Sequence, residues 1–175
     1  MDGSHTLDRC EEATEAALQT GYAALREQRV VLEGTLLKPN MILSGKMCPE
    51  KASVEQVAEA TLRCLRRTVP AAVPGIVFLS GGQSPLQATQ HLQAINALGD
   101  HPWQLSFSYG RALQEPALAT WQPDGTENAA AQKALLHRAC CNGAARRGSY
   151  SGMMEINGQD SASIRERLNE AKISG

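Results

Sequence analysis

Aromatic residues are scarce here: two tryptophans, three tyrosines and two phenylalanines make up 4% of the 175 residues. The core must therefore be built mainly from aliphatic side chains, and a hydrophobic content of 42% is enough for one domain. No apolar run approaches the roughly 18 residues that read as a membrane span, so no membrane partner is expected. Excess charge of either sign is also missing. Seventeen basic residues face eighteen acidic ones, a net charge of −1 that gives no footprint for nucleic acid. Cys10, Cys48, Cys64, Cys140 and Cys141 form no C-x-x-C pair. An odd, scattered set suits reduced thiols in a cytoplasmic protein better than a disulfide framework. The histidines, His5, His91, His101 and His137, are spread along the chain without an H-x-x-x-H pair. They read as surface or packing residues, and no metal is expected. The opening MDGSHTLDR offers no apolar targeting segment.

What is present is a βα rhythm. Asp8–Glu27 reads as an amphipathic helix with Cys10, Ala13, Ala17, Gly21 and Ala24/Leu25 on its inner face. Val30–Leu37 follows as an apolar strand of the kind covered on both faces. Ser53 with Gln56 forms a capping box ahead of a helix whose buried stripe runs Val54, Val57, Ala58, Thr61, Leu62 and Leu65. Arg63, Arg66 and Arg67 near its end read as a solvated cluster suited to the helix dipole. Gly75–Leu79 is a second strand. Ser84, Pro85 and Gln87 then start a helix facing inward with Leu86, Leu92 and Ile95, and Gly99 stops it. Gln104–Tyr109 is the third strand. Pro116 and Pro123 bracket an irregular connection containing Trp121, and Glu127–Arg146 is a long helix with Ala131, Leu135 and Ala139 inside. The fold class is α/β, with strands at 30–37, 75–79 and 104–109 and covering helices. Residues 1–148 form the folded portion, and the glycine- and serine-bearing stretch 149–175 reads as a flexible tail with a short helix near Ser163–Glu166. Periodicity alone leaves open a (β/α)₈ barrel or a doubly wound sheet.

The chemistry concentrates at strand ends. Lys38 leaves the end of the first strand, and Pro39 halts the ladder because it has no N–H to donate. A lysine emerging from an apolar strand is a candidate nucleophile, since desolvation favours the free amine that attacks carbonyls. Glu33 reads as a buried, paired carboxylate or one supporting the site. Ser80-Gly81-Gly82 lies between a strand and a helix start, where backbone N–H groups attract anions and glycine allows close approach. The Gly110-Arg111 step ends the third strand, and the guanidinium can fork onto a phosphate.

Val30–Met41 (VVLEGTLLKPNM), Phe78–Ser84 (FLSGGQS) and Ser106–Gln114 (SFSYGRALQ) together resemble class I fructose-bisphosphate aldolase, in the family's order and near its spacing. The resemblance runs from about Asp2 to Asn157. It selects the TIM (β/α)₈ barrel, of which only the later part is covered. It implies that Lys38 is the Schiff-base lysine, that Ser80, Gly81, Gly82, Gly110 and Arg111 bind a substrate phosphate, and that no metal or other cofactor is needed. The implied substrates are fructose 1,6-bisphosphate and triose phosphates, and the family's usual assembly is a homo-tetramer. The family's terminal tyrosine has no counterpart, because this chain ends in Gly175.

A full barrel of this kind needs roughly 250 residues. In the family, the acids that protonate the leaving group and the residues that bind the second phosphate come from earlier strands, and none of those positions falls within this sequence. The expectation is a partial barrel with exposed sheet edges, weak or inactive alone and completed by further chain. The alternatives are a non-catalytic interaction module and, less well matched by the motifs, another Schiff-base barrel such as a transaldolase.

Overall fold

Three short parallel strands frame the molecule: β1 (Leu36–Leu37), β2 (Gly75–Phe78) and β3 (Gln104–Phe107), side by side in that order. In register, Leu36 lies opposite Gly75 and Gly75 opposite Gln104. The sheet does not close. The computed structural model describes residues 2–157 apart from 124. Around the sheet run α1 (Leu7–Glu27), α2 (Val54–Thr68), α3 (Pro85–Ala97), α4 (Arg111–Thr120), α5 (Asn128–Arg146) and the short α6 (Met153–Asn157).

Local sequence explains most of the helix starts. Ser53 accepts from the Gln56 N–H while the Gln56 side chain takes the Ser53 N–H, and Ser84 with Gln87 repeats this at α3. Each box satisfies two N–H groups that a helix start would otherwise leave without partners. The core lies between β2, β3 and the helices. Ile76, Phe78, Leu92, Ile95 and Val57 are essentially excluded from solvent. Val77, between Ile76 and Phe78, is only half-buried, so the helices seal one face of the sheet more fully than the other.

The first strand is much shorter than the expected 30–37. Leu32–Gly34 form a 3₁₀ turn closed by bonds from the Thr35 N–H and hydroxyl to the Leu32 carbonyl. Continuing the register backwards would place Thr35 against Pro74, which has no N–H for the ladder. The ladder therefore starts only at Leu36–Gly75. The other two strands end a residue or two before 79 and 109, although Leu79 and Ser108 still donate to the Pro39 and Phe78 carbonyls.

Several faces also differ from expectation. On α1, Ala13, Ala17, Gly21 and Ala24 are exposed, while Cys10 and Glu11 are buried and Leu18, Tyr22 and Leu25 half-buried. Two ion pairs set this rotation. Arg63 forks onto Glu11 at 2.7 and 2.6 Å, and Arg67 reaches Glu15 at 3.0 Å. The arginine cluster thus clamps α1 to α2, and Arg66 caps the turn at Gly99 and Asp100 through their carbonyls. Leu86 and Leu135 face solvent, and Ala88 and the row Arg138, Cys141, Asn142 and Ala145 take the inner positions. The stretch expected to be irregular holds α4, with Pro116 inside it. Proline costs that helix one backbone bond without ending it. Ser149–Asn157 packs back rather than hanging loose. Tyr150 is buried, its N–H donating to Gln93 Oε1 at 2.8 Å, and the Gln93 side chain returns a bond to the Gly148 carbonyl. The helix anticipated near Ser163–Glu166 lies outside the described residues. His91 is a packing residue as expected. His137 does not stand alone: Cys141, one turn along α5, and Glu155 of α6 lie beside it.

Candidate active site

Lys38, Ser80 and Gly110 all follow the carboxyl ends of parallel strands, the end at which such folds place their reactive groups. Lys38 leaves β1 directly. Its neighbour Pro39 is buried, and although that ring cannot donate, its carbonyl accepts the Leu79 N–H at 3.0 Å. This bond joins the lysine-bearing segment to the Ser80-Gly81-Gly82 turn. A matching bond, Ser108 N–H to the Phe78 carbonyl at 2.8 Å, draws in the end of β3. By register Lys38 is level with Val77 and Ser106, so it points to the less covered face of the sheet.

Lys38 is exposed and forms one wall of an open cleft of about 680 Å³ with Leu37, Asn40 and, from α1, Arg9, Ala13 and Ala17. The size suits a small organic ligand and Lys38 suits an anionic one, whereas Arg9 is paired with Glu12 at 2.6 Å. The exposed alanine row of α1 supplies its apolar side.

The turn after β2 is built for close approach. Gly81 and Gly82 have φ of +57° and +78°, a region that costs glycine little and other residues more. Ser80 is buried, and its carbonyl closes the turn by accepting the Gln83 N–H. A side chain at Gly82 would meet Lys46 Nζ at 3.3 Å. That lysine, from the loop before α2, brings a cation to the turn that sequence reasoning did not single out. The contact joins residues far apart in sequence, and only the fold reveals it. Lys46, Gly81, Gly82 and Gln83 line a second pocket of about 370 Å³ with Lys51 and His91. Lys51 is occupied by the Gly45 and Lys46 carbonyls, at 2.6 Å each. Burial lowers the His91 pKa to about 4, with Glu55 opposing weakly, so the ring is neutral at pH 7 and bonds Gln83 Oε1 through Nδ1.

Gly110 precedes the first residue of α4, and Arg111 is exposed there. Tyr109 anchors the step from below by donating to the Ala88 carbonyl at 2.8 Å. Arg111 lines neither the Lys38 cleft nor the Gly81–Gly82 pocket. The chain thus joins Lys38 to the Ser80 turn through the backbone and sets Gly110–Arg111 on the neighbouring strand end. Glu33 corrects the expectation of a buried carboxylate: it is exposed in the 3₁₀ turn before β1, whereas Lys38 leaves the far end of that strand.

The model of the family described as glycolytic fructose-bisphosphate aldolase class-I matches residues 1–169. The chain belongs to the class I fructose-bisphosphate aldolase family. It is 56% identical over 153 residues to a probable fructose-bisphosphate aldolase class 1 of Xanthomonas axonopodis pv. citri, covering 87% of this chain and 46% of that one. It is 55% identical over 150 residues to fructose-bisphosphate aldolase B of Sparus aurata, covering 85% and 41%. A solved structure of fructose-bisphosphate aldolase from Plasmodium falciparum, in complex with TRAP and a small-molecule inhibitor, superposes with a TM-score of 0.84 at 50% identity, covering 86% of this chain and 44% of that one. The chain spans less than half the length of these relatives. Its sheet is accordingly a three-stranded part of the family's TIM barrel. Among the described residues no helix is long and apolar enough to cross a membrane.

Proposed function

We propose that this chain carries the Schiff-base portion of a fructose 1,6-bisphosphate-cleaving site, with Lys38 as its nucleophile. The observation that carries the reading is the Leu79–Pro39 bond, which holds the Lys38 strand end beside the Ser80-Gly81-Gly82 turn. In this reading Lys38 Nζ attacks the C2 ketone of the sugar bisphosphate, water leaves, and a protonated imine forms. As a base on the strands outside these residues takes the C4 hydroxyl proton, the C3–C4 bond breaks and its electron pair passes to the imine, releasing glyceraldehyde 3-phosphate and leaving an enamine on Lys38. Protonation and hydrolysis then free dihydroxyacetone phosphate and the amine. Gly81 and Gly82 offer backbone N–H groups to the phosphate near C1, and Arg111 reaches it as a charged fork from the neighbouring strand end. The carbon chemistry needs no metal, because the iminium is the electron sink.

The part of the site on other strands is supplied by chain outside these residues, in a cytoplasmic protein that forms a homo-oligomer once its barrel is complete. Alone, this chain has little or no turnover. General acid–base groups typically contribute about 10²–10⁴-fold, and the family's donors lie on the earlier strands.

Borohydride trapping tests the assignment. The purified chain is incubated with dihydroxyacetone phosphate or fructose 1,6-bisphosphate, reduced, and mapped by peptide mass spectrometry. An adduct confined to Lys38, and lost in Lys38→Ala, is expected. No adduct, or one spread equally over Lys38, Lys46, Lys51, Lys133 and Lys172, would reject it in favour of a non-catalytic module, a role that the exposed edge at Leu36 also suits.

A further inference from the structure

The carboxyl-terminal half of α5 and the turn of α6 bring three chemically different donors to one point. His137 and Cys141 are four residues apart and share one face of α5. Glu155 approaches from α6. His137 Nε2 is 3.7 Å from Cys141 Sγ and 3.2 Å from Glu155 Oε2, and all three donor atoms lie within 4.8 Å of one another. Around zinc, with metal–nitrogen and metal–oxygen distances of about 2.0–2.2 Å and metal–sulfur of about 2.3 Å, tetrahedral geometry separates ligand atoms by about 3.3–3.7 Å. The His137–Cys141 edge falls in this range and the His137–Glu155 edge just below it. Cys141 is fully buried, while the side chains of His137 and Glu155 retain 18% and 26% exposure, which leaves an approach from solvent.

We propose that His137 Nε2, Cys141 Sγ and Glu155 Oε2 bind one zinc-class divalent ion, with water in the fourth position. The donor set decides the class: a thiolate and an imidazole favour zinc over magnesium or calcium, which take oxygen ligands. The surroundings suit the geometry. Arg138 Nη1 donates to both Glu155 oxygens, at 2.7 and 2.6 Å, and Tyr150 donates to Oε1 at 2.9 Å. With Oε2 on the metal, Oε1 keeps both partners, the outer hydrogen bonding that orients metal-bound carboxylates. Arg138 repels the incoming ion. The carboxylate and the thiolate, formed as Cys141 gives its proton to solvent, together cancel the ion's two charges. Binding therefore forms one sulfur–metal bond and releases one proton. Its structural effect is to tie α6 to α5 well away from Lys38, independently of any reaction there.

The test uses the full 175-residue chain, reduced and stripped of metal, titrated with cobalt(II) as an optical stand-in for zinc. One equivalent is expected to bind with a near-ultraviolet thiolate-to-cobalt band, which zinc abolishes and magnesium leaves untouched. Cys141→Ser removes the band, His137→Gln and Glu155→Gln weaken binding by about 10–100-fold or more, and Cys140→Ser leaves it intact. Zinc raises the melting temperature of the wild-type chain and not that of His137→Gln. Circular dichroism confirms that each variant keeps its helix content. A wild-type chain without the band, or a Cys141→Ser chain that retains it, overturns the proposal.

Discussion

On the helix side of the sheet, Ile76, Phe78 and Leu105 are wrapped by side chains that this chain itself provides, and none is more than 2% exposed. At the β1 edge, by contrast, Leu36 and Val31 stand 65% and 70% exposed, and Lys38 opens onto a cleft. One region is complete within these residues and the other is half of something. The sealed core and the open cleft therefore draw on different lengths of the family's sequence. The helices that follow each strand lie close in sequence, so a fragment can keep its outer layer. The barrel interior is shared by all the strands, so a fragment cannot keep that.

The largest effect should come from supplying the missing side. Co-expression with the earlier strands of a class I aldolase is expected to raise fructose 1,6-bisphosphate cleavage by at least about 10²–10⁴-fold. A coupled assay for triose phosphate checks this, and no gain would mean the open edge does not accept a partner. On the sealed side, Phe78→Ala should cost about 3–5 kcal/mol in denaturant unfolding, whereas Lys38→Ala should stay within about 0.5 kcal/mol. Equal losses would erase the distinction between the two regions. Acid should also act through the sealed side. The His91 pKa is about 4 in the fold against 6.5 for the free side chain, so the unfolded chain takes up its proton first as pH falls. Stability is full above about pH 6.5 and declines by up to about 3 kcal/mol as pH falls through the window down to 4. His91→Gln should flatten that part of the curve of unfolding midpoint against pH. A smaller loss than that at Phe78 or His91 concerns the clamp between α1 and α2. Arg63→Ala leaves the nearly buried Glu11 with only Arg67 at 3.7 Å and should cost about 1.5 kcal/mol, less in high salt.

What could be read from sequence follows the range of the interactions. The boxes at Ser53–Gln56 and Ser84–Gln87 are settled within four residues, and both helices begin where the code places them. The positions of Lys38, Ser80 and Gly110 at strand ends were legible because proline and glycine punctuate locally. The true length of β1 was not, since it depends on Pro74 across the sheet. Nor was the face of α1: the alanine row looks like an inner stripe, but the Glu11–Arg63 and Glu15–Arg67 pairs turn it outward. Pro116 reads as a breaker, yet α4 runs through it. Lys46 over Gly82 and Glu155 beside His137 are contacts between distant segments, although the H-x-x-x-C spacing of His137 and Cys141 was visible all along.

The bond from Leu79 to the Pro39 carbonyl has one more consequence. Because β1 pairs over only two residues, the Lys38 segment is held to the sheet by very few cross-links. Solvent deuterium should enter the Leu79 amide whenever that segment lifts away, long before it reaches the amide of Phe78 in the interior of the ladder. The exchange rate of one backbone proton thus clocks how often the Lys38 segment and the Ser80-Gly81-Gly82 turn come apart, and a completed barrel should slow that clock.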